Sequence, residues 1–204
     1  MRRAAPVIEA LIALAVTLPL AIVLRYPTLW LLVPFAIVTV TNRPYDVYGL
    51  TLRNPGSLRF HLRTAGVLFG GYALLHYVFA RVVLGLRFVP TLPPDFAEVA
   101  FDQFVIIGLS EEVFFRGYLQ TQLDHVFGTP YRLLGAPIGA GMVLAAGLFA
   151  VCHVMYGGAV RLIVFFPGLL YGWLRARTGT IAVPVFYHAA SNLLMQIMLT
   201  SLSA

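Results

Sequence analysis

Seven apolar stretches follow one another along this 204-residue chain, at roughly 7–24, 28–41, 64–89, 99–120, 134–155, 160–174 and 180–200. A soluble domain averages about 45–50% apolar and about 25% charged residues. Here the fractions are 60% and 11%, an excess no core in water can absorb. In lipid the backbone has no water to bond to, so each stretch is expected to pair its own polar groups as a helix. The fold class that follows is all-α, a polytopic transmembrane helical bundle with about seven spans. The second and sixth stretches fall short of the ~20 residues of a perpendicular crossing, so each is expected to tilt little or to be re-entrant.

The formal charge is +6, and all 14 basic residues are arginine. They sit between the apolar runs, which fits charges that orient spans and argues against a nucleic-acid partner. With the N-terminus in the cytoplasm, nine arginines fall inside (Arg2, Arg3, Arg43, Arg53, Arg59, Arg63, Arg132, Arg175 and Arg177) and three outside (Arg25, Arg87 and Arg161). The expectation is a multi-pass protein of the cell membrane, N-terminus in and C-terminus out, with the bilayer as its first partner. Met1-Arg2-Arg3 and the run after it resemble a signal peptide, but Glu9 interrupts the run, so it reads as a retained first span. The 42–63 connection, with Asn42-Arg43-Pro44 and Asn54-Pro55-Gly56, reads as a surface loop. Gly135 with Gly139, Ala136 with Ala140 and Gly168 with Gly172 have the spacing of close helix packing. Trp30, Tyr77 and Trp173 are most simply lipid-facing or interfacial.

Ionisable groups inside a span cost about 2.5–3.5 kcal/mol each on insertion scales, so each needs a reason. The fourth stretch holds Ser110-Glu111-Glu112-Val113-Phe114-Phe115-Arg116. Glu112 and Arg116 stand four apart with the acid first, the better order for an ion pair on a helix. Glu111 points about 100° away and lacks that partner. An unpaired carboxylate stripped of water suits a general base. The alternative is one buried structural network of all three charges. Phe149 and His153 share a face of the fifth stretch, and His188 and Asn192 share a face of the seventh. A Glu with a His can activate water, and a His with an Asn can donate to an oxyanion. Cys152, the one cysteine, adjoins His153, but neighbouring helix positions diverge by about 100°, so a buried reduced thiol is the simpler reading.

Taken together, Glu111-Glu112-x-x-x-Arg116, Phe149-x-x-x-His153 and His188-x-x-x-Asn192 resemble the three-motif signature of the CPBP family. That family comprises CAAX prenyl-protein endopeptidases and bacteriocin-processing enzymes. The resemblance extends through Gly168-Leu169-Leu170-Tyr171-Gly172-Trp173 and Arg177-Thr178-Gly179-Thr180-Ile181 to Pro184, and covers about residues 99–195. It implies an intramembrane endopeptidase acting on membrane-embedded or lipidated proteins or peptides near a C-terminal segment. Within one membrane domain, 1–98 would supply N-terminal spans and a cytoplasmic loop, and 99–204 the catalytic core. By position, Glu111 and His153 would activate the hydrolytic water, His188 and Asn192 would stabilise the oxyanion, and Glu112 and Arg116 would brace the site. A non-enzymatic scaffold, immunity or transport protein is the rival reading, but it needs the Glu112–Arg116 pair alone.

No metal or other cofactor is expected, although zinc on Glu111, His153 and His188 is the alternative. Two imidazoles and a carboxylate can ligate zinc. Against it, no pair of ligands is preformed one turn apart on a single helix, and Asn192 is a better oxyanion donor than zinc ligand. One point of depth stays open. If the fifth span begins at Leu134, His153 lies nearer the outer surface than Glu111 and His188 do, at about 1.5 Å per residue. The motifs meet only if that helix begins deeper, near Pro137.

Overall fold

The computed structural model describes residues 5–51 and 55–203, so Arg2, Arg3, Arg53 and Asn54 lie outside the described residues. The helices, numbered in chain order, are α1 (Ala5–Leu24), α2 (Leu29–Val40), α3 (Leu58–Val83), α4 (96–127), α5 (Ala140–Gly157), α6 (Ala159–Thr178) and α7 (Ala182–Thr200). Five of them, α1, α3, α5, α6 and α7, are long and apolar enough to cross a membrane. The chain is thus a multi-pass helical membrane protein. The remaining two stretches differ for separate reasons. At 12 residues α2 is short of a perpendicular crossing. The long α4 carries Asp102, Glu111, Glu112 and Arg116 along its middle.

The bundle is organised around α4, which packs against α1, α2, α5, α6 and α7. Its run from Glu112 to Gln120 is buried throughout. Over Asp102–Gly108 and Val113–Leu119 the helix opens into wide π-type turns, with Leu109 N–H donating to the Phe104 carbonyl and Gln120 N–H to Phe115. Such turns concentrate at functional sites. By contrast α3 is peripheral, with Leu62, Val67, Leu75 and Val82 each more than 60% exposed, an arrangement suited to lipid. Trp30, expected to face lipid, is instead 3% exposed. It packs edge-on to Phe114 at 4.8 Å and beside Phe115 at 5.2 Å, joining α2 to α4. Its large ring has more to gain from close aromatic packing than from the interface.

Short strands account for two further differences from the sequence reading. Tyr131–Leu133 (β2) pairs antiparallel with Ala136–Ile138 (β3), so the fifth apolar stretch opens as a hairpin and α5 starts only at Ala140. Gly135, at φ +83°, is the turn of that hairpin, so Gly135, Ala136 and Gly139 lie outside the helices rather than on a helix face. On the other end of the bundle, Arg87–Phe88 (β1) pairs with Leu202–Ser203 (β4), tying the connection after α3 to the end of α7. Gly168 and Gly172 do pack as small residues, facing Ala146 and Phe149, and Met142 and Gln120, respectively.

The 42–63 connection is not a plain surface loop. Tyr48 and Gly49 are buried, and the segment turns under the junction of α6 and α7. Gly49 accepts from the Ile181 N–H at 3.0 Å, Val47 accepts from the Arg175 guanidinium at 2.9 Å, and the Thr180 hydroxyl bonds to the Thr51 carbonyl. These bonds satisfy a buried turn that would otherwise hold orphan polar groups. Gly49 is required there: φ is +70°, and a Cβ would stand 2.6 Å from the Arg175 Nε.

Trp30→Ala should lower the melting temperature of the purified protein in detergent, because such truncations cost about 3–5 kcal/mol in a core. Tyr77, 44% exposed, is the control, and Tyr77→Ala should leave the melting temperature almost unchanged.

Candidate active site

The depth question resolves through the start of α5. Gly141 sits against Asp124, where an added Cβ would lie 2.3 Å from a carboxylate oxygen. The two helices run in opposite directions, and His153 follows Gly141 by 12 residues while Glu111 precedes Asp124 by 13. Counted at about 1.5 Å per residue, both lie roughly 18–20 Å from that contact. The hairpin uses up the extra length that would have carried His153 too far.

The site grows from the buried ion pair. Arg116 is 1% exposed, and its Nη1 lies 3.1 Å from Oε1 of Glu112, close enough to pair but not aimed as a hydrogen bond. Its Nη2 donates to the Gly168 carbonyl at 3.3 Å. Its guanidinium lies 4.3 Å from the centre of the Phe149 ring and 5.4 Å from that of Tyr171. Charge, carbonyl and aromatic faces together replace the lost water.

The same Oε1 of Glu112 meets Nδ1 of His188 at 2.8 Å. A carboxylate only accepts, so Nδ1 carries the proton and donates it, and Nε2 turns the other way. Tyr171 stacks on the His188 ring at 4.9 Å and 15°, holding its plane. His153 is set differently. Its Nδ1 donates to the Phe149 carbonyl, one turn back, at 2.9 Å, and its Nε2 is likewise turned outward. Both Nε2 atoms face Oε2 of Glu111, at 3.9 Å from His153 and 3.8 Å from His188. Oε2 is buried and has no hydrogen-bond partner. These separations are too long for direct hydrogen bonds, but a small molecule beside Oε2 could bridge it to either ring.

Five of the six residues singled out by sequence thus meet, Glu111, Glu112, Arg116, His153 and His188. Asn192 stands one turn beyond His188, and its Nδ2 donates to Oε1 of Gln103 on α4 at 2.8 Å. Gln103, Tyr171 and the second partner of Glu112 were not anticipated. A polar Gln within an apolar run was a signal for the first, whereas the other two depend on how helices pack. Cys152 is 3% exposed and lies in the apolar core beside Phe149.

Glu111, His153 and His188 are donor types that zinc accepts, but their spacing does not fit it. When bound there, zinc would lower the pKa of a bound water and polarise a carbonyl. The spacings of 3.8 and 3.9 Å exceed the about 3.3 Å between donors of a tetrahedral site with bonds of about 2.0 Å. Among the described residues, no three His, Cys, Asp or Glu side chains are grouped closely enough to hold a metal ion.

Glu112→Ala or Arg116→Ala should reduce the yield of folded protein, since each leaves the other charge buried and unpaired at a cost of about 3–5 kcal/mol. Size-exclusion profiles and melting temperatures would measure this. Glu111→Gln, which removes no ion-pair partner, should match the wild type on both.

The family described as type II CAAX prenyl endopeptidase, Rce1-like, matches residues 93–194, half of the chain. No curated protein and no solved structure matches. The matched segment contains all six of these residues and all of the helices that carry them except the end of α7. The chain belongs to the Rce1-like family of type II CAAX prenyl endopeptidases, and is a membrane protease.

Proposed function

We propose that this chain is an intramembrane endopeptidase that hydrolyses membrane-anchored or lipidated proteins near a C-terminal segment, using a water activated by Glu111 and histidine without a metal. The convergence of His153 Nε2 and His188 Nε2 on the unpartnered Oε2 of Glu111 carries this reading. A water there would lie within reach of a carboxylate able to take its proton.

Distance does not separate the two histidines, but their Nδ1 partners do. His153 spends its Nδ1–H on the Phe149 carbonyl, which leaves Nε2 to accept from the water. His188 is backed by the Glu112 carboxylate, which supplies the counter-charge for a ring protonated at both nitrogens. In that form Nε2–H can donate to the oxyanion as the scissile carbonyl becomes tetrahedral, with the Asn192 amide as second donor. Glu111 then returns the proton to the leaving amine, closing the cycle. Arg116 pairs with Glu112 and holds it in place, so it acts through His188. A scaffold or transporter would require the Glu112–Arg116 pair but gives no reason for two imidazoles aimed at an unpaired carboxylate. Zinc on Glu111, His153 and His188 is the second reading of the same atoms.

The proposed substrate is anchored in the bilayer beside the bundle, and the family description supports a CAAX-type C-terminal segment. The proposed orientation has the N-terminus in the cytoplasm. It is supported by contacts that gather arginines at one end: Arg43 with Glu9 near the start of α1, Arg175 with Val47, and Arg177 beside Phe60 and Gly135.

Glu111→Gln should reduce kcat by at least about a thousandfold, as loss of both base and proton carrier predicts, while the protein stays folded. The measurement is cleavage of a prenylated peptide ending in a CAAX tetrapeptide, in proteoliposomes. Normal turnover by Glu111→Gln would remove Glu111 from the chemistry. For orientation, a reporter after Ala204 should mark the outside and one inserted in the 42–63 connection the cytoplasm. Both on the same side would refute the proposed topology.

A further inference from the structure

Asn192 can stabilise an oxyanion only if its amide presents the nitrogen end. The oxygen end would repel the developing charge, and the two ends have nearly the same shape. An amide on a membrane helix needs something to choose between them. Gln103 supplies the partner: its Oε1 accepts from Asn192 Nδ2 at 2.8 Å, which engages the nitrogen end and leaves the oxygen end outside the bond. This turns the nitrogen end toward α4, the helix that carries Glu111, and leaves the second N–H free for a reacting oxygen.

Gly108, between Gln103 and Glu111, has its missing Cβ position 3.5 Å from the Ala189 Cβ and 3.5 Å from the Val185 carbonyl, and only 2.7 Å from the carbonyl of Gln103 itself. A Cβ at 108 would clash with the Gln103 carbonyl of the same helix, while its distances to α7 are ordinary contacts. The glycine accommodates the wide turn at Asp102–Gly108, and that turn lies against α7 where Gln103 reaches Asn192.

We infer that Gln103 is a positioning residue for the oxyanion donor, fixing which end of the Asn192 amide faces the substrate carbonyl. This rests on the oxyanion role proposed above for Asn192. It assigns to α4 a second contribution to the reaction, two turns before its carboxylates.

The test compares Gln103→Leu, Gln103→Glu, Asn192→Ala and the double variant Gln103→Leu/Asn192→Ala. Each is reconstituted in proteoliposomes and assayed on a prenylated peptide ending in a CAAX tetrapeptide. Removing one oxyanion donor typically costs about 10²–10³ in kcat, so Asn192→Ala should fall in that range and Gln103→Leu, which misorients the donor, by about tenfold or more. KM should not change in either. Gln103→Glu keeps an acceptor for Nδ2 and should retain most of the wild-type kcat, which a folding defect at this position would not allow. In the Asn192→Ala background, Gln103→Leu should add nothing. Wild-type kcat for Gln103→Leu beside an impaired Asn192→Ala, or independent losses that multiply in the double variant, would overturn the positioning role. Wild-type kcat for Asn192→Ala would overturn the oxyanion reading beneath it.

Discussion

A carboxylate with 0% exposure, in a bundle surrounded by lipid, is tolerable only when its charge is answered on the spot. Glu112 is answered twice, by Arg116 and by His188. The ion pair joins residues one turn apart on α4, whereas the histidine comes from α7, so a single oxygen ties the central helix to the last one. Arg116 extends the connection to α6 through the Gly168 carbonyl and to α5 through the Phe149 ring. Removing either charge therefore loosens four helices and exposes an unpaired charge to a medium without water. The remaining polar groups inherit their positions from this centre. His188 is turned so that Nε2 faces Glu111, and Phe149, beneath the guanidinium, holds His153 one turn further along.

The adjacent pair Glu111–Glu112 thus divides into two kinds of carboxylate by helix geometry alone. One faces Arg116 and His188 and is consumed by structure. The other, rotated by about 100°, faces two imidazoles and keeps an oxygen without a partner. The wide turns before and after them let α4 lie close to several neighbours at once. The connection under α6 and α7 allows Thr178, Thr180 and Ile181 to be buried at the turn between them, so that α7 starts inside the bundle and places His188 at the level of Glu111.

Much of this was legible in the sequence because membrane spans and buried charges are local signals. Apolar runs give helices wherever lipid is the solvent, and the spacing of Glu112 and Arg116 gives a pair without reference to any other helix. The grouping of Glu111, His153 and His188 also followed once the three motifs were seen together. What sequence periodicity could not supply was whatever depends on contacts between distant segments. Leu133 and Ala136 are as apolar as span residues, yet they pair as strands because Gly135 can adopt a positive φ between them. Trp30 looks interfacial by type, and only the presence of Phe114 and Phe115 opposite it makes burial the better outcome. Tyr48 and Gly49 sit in a polar connection, and their burial follows from where Arg175 and Ile181 end up. Gln103 stands out as a polar residue in an apolar run, but its pairing with Asn192, 89 residues away, does not.

The central claim is that Glu111 and His153 act directly on water and need no metal between them. It is tested most directly by the metal content of active enzyme. Protein that cleaves a prenylated CAAX peptide would be dialysed against strong chelators, measured by elemental analysis and assayed again. The account predicts far less than one zinc per chain and full activity after dialysis. About one zinc per chain, with activity lost to chelator and restored by added zinc, would contradict it and make Glu111, His153 and His188 ligands instead.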